Sequence, residues 1–192
     1  MSLTPSTFAL QPGSPAPDFT LPDAAGSDHQ LQHLTGKAGT LIIFACNHCP
    51  YVIHLAEALS HFAREMEGVG IKTIAINSND VEKYPADSPA KMQIFSRKNA
   101  WNFPYLYDED QSVAKAFSAA CTPDFFLFDS GLKLHYAGQF DASRPGSEQP
   151  VTGADLRAAA ESLLAKQPAA TPFLPATGCN IKWKPGNEPS YF

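Results

Sequence analysis

The sequence predicts an α/β fold built on a central mixed sheet with helices flanking it. Two observations carry this prediction. Residues 40–45 form an apolar run with β-branched members, the pattern of a strand buried on both faces, and an amphipathic helix and a second strand follow to make a parallel βαβ unit. Farther along, apolar segments at 125–128 and 132–137 flank Asp129-Ser130-Gly131, a strong turn signal, so these segments should pair as an antiparallel hairpin.

The elements read off in order. The first forty residues are rich in Pro, Gly and Asp, with short extended pieces at 19–21 and 30–31, and suggest an irregular cap or small hairpin. After the strand at 40–45, Pro50 suits the first turn of a helix, where its missing N–H costs nothing. Val52, Leu55, Leu59, Phe62 and Met66 then recur at spacings of 3 and 4, one apolar stripe, and Gly68 and Gly70 end the helix. Residues 71–77 read as the second strand, and 78–87 as a turn region. A helix at 88–99, a short strand at 103–107 and a short helix at 111–119 lead to Thr122-Pro123 and the hairpin. A last helix at 153–166 precedes a Pro-rich tail. We therefore expect a single domain over 1–192, with a core of about 13–167, an N-terminal β extension and a C-terminal arm at 168–192.

Composition narrows the function classes. With 44% hydrophobic and 17% charged residues, the chain can offset its conformational entropy by burial, which excludes bulk disorder. A net charge of −5 and a pI near 5.6 argue against a nucleic-acid or anionic-membrane surface, which would need a basic stripe. No apolar run approaches the ~20 residues of a spanning helix. Residues 1–10 lack both a basic residue and a continuous apolar stretch, so a cytoplasmic location is expected. Four Cys are too few for a disulfide scaffold, and in a reducing compartment a Cys pair points to catalysis or metal binding.

The chemistry concentrates in Cys46-Asn47-His48-Cys49-Pro50, between the end of the first strand and the start of the long helix. A helix N-terminus carries partial positive charge and unpaired N–H groups, so a thiolate there is favoured and its pKa should fall below the free value of about 8.5. Two intervening residues let one sulfur reach the other across a single turn, so a disulfide can open and close without refolding the domain. A dithiol/disulfide couple is the reading adopted, against a zinc knuckle or two inert buried thiols. Zinc needs a fuller ligand set, and the sequence offers no second Cys-x-x-Cys, no His-x3–5-His and no metal spacing among its six His. No cofactor is expected.

These residues carry a resemblance that spans nearly the whole chain. Ala16-Pro17-Asp18-Phe19-Thr20-Leu21-Pro22-Asp23, Phe44-Ala45-Cys46-Asn47-His48-Cys49-Pro50, Ala75-Ile76-Asn77-Ser78-Asn79-Asp80, Phe103-Pro104-Tyr105-Leu106-Tyr107-Asp108, Thr122-Pro123-Asp124-Phe125-Phe126-Leu127-Phe128-Asp129 and Gly178-Cys179-Asn180-Ile181-Lys182-Trp183 resemble the thioredoxin-fold redoxins. The branch is the one similar to peroxiredoxins, the alkyl hydroperoxide reductase and thiol-specific antioxidant group, that carries a thioredoxin-like Cys-x-x-Cys. The resemblance implies a thioredoxin-like fold and redox chemistry at Cys46 and Cys49.

One departure is informative. True peroxiredoxins carry Pro-x-x-x-Thr-x-x-Cys, whose Thr helps hold a peroxide. With that Cys aligned on Cys49, Cys46 falls where Thr should be and Ile42 where Pro should be, so dithiol exchange is favoured over peroxide reduction. By analogy with thioredoxins, Cys46 attacks a disulfide and Cys49 resolves the mixed disulfide. The competing readings are a peroxidase attacking through Cys49, and a redox-sensing module without turnover.

The resemblance also implies roles around the dithiol. His48 occupies the position at which disulfide isomerases stabilise the nearby thiolate and make the couple more oxidising, although a solvated loop histidine is the plainer alternative. Thr122-Pro123 matches the position whose proline is cis, lies beside the dithiol and offers backbone pairing to a substrate. Cys121 should then lie near the site or be a buried spectator. Cys179 is a resolving thiol or a hydrophobic anchor, with the anchor preferred. Asn47 and Pro50 complete the accessory positions. Expected partners are a disulfide-containing protein or small molecule and a dithiol reductant or oxidant, with no nucleic acid and no membrane, for a monomer or homodimer.

Two weaker patterns fall away. Asp108-Glu109-Asp110-Gln111-Ser112 resembles the start of a calcium-binding EF-hand loop, but Val113 stands at the required Gly and Ala119 at the required Glu, so it is an acidic helix N-terminus. Lys182-Trp183-Lys184 is too short to make a nucleic-acid surface.

Overall fold

The structure is a computed structural model and describes residues 3–169 and 171–191. Its centre is β4 (Gly39–Phe44), every residue of which is buried. β5 (Ile71–Asn77) pairs with it in parallel and β8 (Asp124–Asp129) antiparallel, so the sheet is mixed as expected. β6 (Tyr105–Tyr107) and β9 (Leu134–Gly138) extend the edges to the order β6-β5-β4-β8-β9, and β8 and β9 form the expected hairpin.

Alternation along the central strand divides the core into two layers. Leu41 and Ile43 face a cluster that contains Leu55, Leu59 and Phe62 of α2 (Pro50–Gly68), Met92 and Phe95 of α3 (Pro89–Lys98) and Leu156 of α5 (Ala154–Leu164). Ile42 and Phe44 face the other cluster, with Leu31 of α1 (Leu31–Leu34) and Phe117 of α4 (Ser112–Phe117). Phe117 is its hub, with Phe44, Phe126 and Phe128 meeting it edge-on. The five apolar positions read from helical spacing in α2 are all buried.

Several expectations need correction. The first strand stops at Phe44, leaving Ala45 in the connecting loop that Cys46 was expected to open. The extended pieces at the N-terminus are β2 (Thr20–Pro22) and β3 (Asp28–Gln30), paired as a small hairpin, and Leu31 opens a helix. Predicted boundaries elsewhere run a few residues long, because Gln111 and Leu132 take left-handed conformations that end regular structure. The largest difference is in the tail. It contains β10 (Thr177–Asn180), which sits between β1 (Leu3–Pro5) and β7 (Cys121–Thr122) in a second, antiparallel sheet. Four residues with a Gly and an Asn carry too little β pattern to be read as a strand; β10 exists because two neighbouring edges hold it.

Among the described residues, no helix is long and apolar enough to cross a membrane.

Candidate active site

Cys49 is the N-cap of α2 and Pro50 its first residue. The sequence therefore places both sulfurs where the helix presents its unpaired N–H groups. All four cysteines are buried and none is in a disulfide. Cys46 is 1% exposed and Cys49 0%, so exposure does not distinguish them. Surroundings do. The Cys49 sulfur is enclosed by the carbonyl oxygen of Thr122 at 3.1 Å, the Cys46 sulfur, Cys179 and the Val52 N–H. Cys46 instead lies on the side of the half-buried Asn47 and His48, with its sulfur 3.4 Å from the Thr122 hydroxyl.

The charge of the pair rests on Cys49. The S–H of Cys46, the S–H and N–H of Cys179 and the N–H of Val52 all turn toward its sulfur and bring its pKa down to about 5 against the opposing effect of burial. The proton shared with Cys49, burial, and the nearby Asp87 carboxylate hold Cys46 well above the ordinary thiol range. In its thiol form Cys49 donates to Thr122 O, so the carbonyl supports the proton when it moves inward from Cys46.

His48 is no solvated loop residue. Its Nδ1 lies 2.6 Å from Oδ2 of Asp87, and its ring stacks on Tyr84 with centroids 5.6 Å apart. That hydrogen bond raises the His48 pKa above its ordinary value despite partial burial. Asp87 is fully buried, and its carboxylate accepts from the N–H groups of Asn47 at 2.8 Å and His48 at 3.3 Å and from Asn79 Nδ2 at 2.8 Å. Tyr105 donates to Asn47 Oδ1 at 3.0 Å and to Ala45 O at 3.3 Å, fixing the loop from the sheet side.

The Cys46 sulfur, a His48 nitrogen and an Asp87 oxygen lie within 4.8 Å of one another. The sequence offers no metal-ligand spacing for this trio, because Asp87 arrives from a turn distant in sequence. The same carboxylate already serves several protein donors, so this geometry is first a hydrogen-bonding hub.

The Thr122-Pro123 bond is cis, and Thr122 touches both thiols, as the resemblance implied. β10 takes one edge of β7, pairing Asn180 and Cys179 with Cys121 and Thr122, and β7 is the outer strand of that sheet. Cys121 is fully buried, with its sulfur 3.6 Å from Pro123 O, near the dithiol but not among its hydrogen bonds. Cys179 is both an anchor, being part of the core, and a neighbour of Cys49. Asp87, Asn79 and Tyr105 were missed in the sequence. The signal available for Asp87 was an Asp in a Pro-rich turn near a helix start, which reads more simply as surface capping.

The AhpC/TSA family model matches residues 12–137, about two thirds of the chain. The chain belongs to the AhpC/TSA family. It is 28% identical over 132 residues to the thiol-disulfide oxidoreductase ResA of Bacillus subtilis, covering 66% of this chain and 66% of that protein. It is 28% identical over 108 residues to the peroxiredoxin Bcp of Escherichia coli K12, covering 56% of this chain and 64% of that protein. The chain thus spans about two thirds of the length of these curated relatives. An uncharacterized conserved protein from Geobacillus kaustophilus has a crystal structure that superposes with a TM-score of 0.93 at 45% identity, covering 97% of this chain and 98% of that one. A putative thiol:disulfide interchange protein DsbE from Chlorobium tepidum aligns with a TM-score of 0.62 at 18% identity, covering 81% of this chain and 99% of that one, a likeness of fold. The fold is thioredoxin-like, and the oxidoreductase class read from the sequence agrees with these relatives.

Proposed function

We propose that this chain exchanges its Cys46–Cys49 dithiol with disulfides of proteins or small molecules. The observation that carries the reading is the pairing of the two sulfurs at the N-terminus of α2, with the charge held on the inner one. Cys46 passes its proton to Cys49 and attacks the substrate disulfide, forming a mixed disulfide and expelling one substrate thiolate. Cys49 then gives up that proton and attacks Cys46, and the second substrate thiolate leaves. A disulfide remains between Cys46 and Cys49, and the substrate has gained two electrons; the reverse sequence oxidises a dithiol. Protonated His48 on the Cys46 side favours the anionic sulfur and is placed to donate to a departing thiolate. A partner approaches past His48, whose ring stacks on the 37% exposed Tyr84. A cytoplasmic site of action and a monomeric or dimeric state belong to the same proposal.

The test is a trapping experiment. Cys49→Ser should accumulate mixed disulfides through Cys46, visible as dithiothreitol-sensitive adducts by mass spectrometry, whereas Cys46→Ser should not. The inverse pattern overturns the assignment of roles.

The low pKa of Cys49 favours a second reading, a peroxidase in which Cys49 attacks peroxide. Rapid peroxide consumption that survives in Cys46→Ser would select it.

A further inference from the structure

One residue beyond Thr122, whose hydroxyl and carbonyl touch the two sulfurs, Pro123 forms part of the wall of a separate hollow. Tyr51 and His54 from the first turns of α2, Thr177 of β10, and Ser143 and Arg144 of the loop after β9 also line it. The loop is built around a buried carboxylate. Asp141 accepts from Ser143 N at 2.9 Å, Ser143 Oγ at 2.5 Å, Thr152 N at 2.7 Å and Gly153 N at 2.6 Å, so its charge is met within its own loop. Because the single hydroxyl proton of Ser143 goes to Asp141, His54 Nε2 donates to Ser143 Oγ at 3.1 Å and ties the loop to α2. Arg144 stands apart from this arrangement. Its Nη1 donates to the carbonyls of Asp141 at 2.8 Å and Ser143 at 2.7 Å, and its Nη2 to Gln139 Oε1 at 2.6 Å. All three acceptors are neutral. Among the described residues no carboxylate forms an ion pair with Arg144, and its Nε–H and second Nη2–H have no acceptor. The half-buried guanidinium is therefore a fixed cation with donors in reserve.

We propose that this hollow binds a carboxylate of a small-molecule disulfide, and that Arg144 thereby selects the substrate class of the dithiol. The proposal rests on the exchange reading above. No Lys lines the hollow, and two spare N–H groups match the two oxygens of a planar carboxylate rather than the three of a phosphate. Its volume, about 260 Å³ with its open mouth, suits one carboxylate and the few bonds beside it rather than a folded protein surface. Its position fits the two halves of a disulfide. With the disulfide over Cys46, one half leaves past His48 while the other crosses Pro123 toward Arg144. No bond is made or broken at the hollow. The exchange runs as already written, and Arg144 contributes binding and orientation. Because Gln139, Asp141 and Ser143 are all buried, the cation is held in place before any substrate arrives, so little ordering remains to be done on binding.

The test compares two disulfides of nearly the same shape. Reduced protein is mixed with glutathione disulfide, or with its ester in which every carboxylate is blocked, and loss of the Cys46 and Cys49 thiols is followed. The readout is the rate constant for glutathione disulfide divided by that for the ester, a ratio in which a general loss of folding or thiol reactivity cancels. Arg144→Gln should lower this ratio roughly tenfold or more, the size expected for a charge-assisted pair. Arg97→Gln removes the same charge from the exposed end of α3 and should leave the ratio at the wild-type value. Should Arg144→Gln misfold, Thr177→Asp sets a competing carboxylate in the hollow and should lower the ratio as well. If neither disulfide oxidises the wild-type pair, the exchange reading falls and takes the hollow with it. If both do, and the ratio is unmoved by the hollow variants or falls equally in Arg97→Gln, the hollow is no carboxylate site while the exchange reading stands.

Discussion

A single histidine sets the electrostatics on the outer side of the dithiol. His48 is held to Asp87 at 2.6 Å, so its pKa is raised, and below that raised value an imidazolium sits beside the buried carboxylate with a ring nitrogen within 4.8 Å of the Cys46 sulfur. The imidazolium and an anionic Cys49 favour each other, so removing His48 disfavours the Cys49 thiolate and therefore the reduced couple. His48→Ala should lower the reduction potential of the Cys46–Cys49 couple by roughly 20–40 mV, about 1–2 kcal/mol for two electrons. The sign of the pH dependence is a second check. The difference between variant and wild type should be largest below the His48 pKa, where the imidazolium is fully formed, and should vanish as pH rises through it. Redox titration against glutathione at several pH values measures both, and a difference that persists unchanged at high pH contradicts the account.

Among the elements, β10 does most to shape the site, and its tightest point is Gly178. Any Cβ there collides with the Thr122 carbonyl, which is backbone and cannot rotate away. Gly178→Ala should therefore destabilise the protein by about 1–3 kcal/mol, as overpacking does, and lift β10 from β7. With Cys179 displaced, Cys49 loses two of its donors, so its pKa should rise from about 5. Urea unfolding and ultraviolet thiolate absorbance report the two effects, and an unshifted Cys49 titration would show that the tail does not tune it. β10 also marks where sequence reading ran out. Residues 40–45 and the stripe from Val52 to Met66 were legible because each repeats one signal, continuous burial or helical spacing, over several residues. The dithiol was legible because its spacing is local. β10 and Asp87 were not, since a short strand is defined by the edges it fills and a buried carboxylate by donors from Asn47, His48 and Asn79, all distant in sequence from it or read as loop.

Across the whole molecule, stability and the site meet at Asp124. This carboxyl is buried on the strand that follows Pro123; it accepts from Ser6 Oγ at 2.7 Å, and its Oδ2 has no hydrogen-bond partner among the described residues. Burial lifts its pKa to about 7, against an unfolded value near 3.9. The folded state thus holds a proton that the unfolded state releases. Its stabilising contribution is complete below about pH 4 and is lost as pH rises through 7, by an amount on the order of a few kcal/mol. Asp124→Asn removes the ionisation, so its Tm advantage over wild type should grow between pH 4 and 7 and level off above; thermal melts across that range decide the matter, and parallel curves would refute it. The joining of β1, β10 and β7 in one small sheet has a consequence for the order in which the molecule comes into being. On the ribosome, Cys46 and Cys49 emerge long before β10, so Cys49 must wait for Cys179 before its full set of donors exists. The nascent chain carries an untuned dithiol through most of its synthesis, and the reactive centre is among the last parts of the protein to mature.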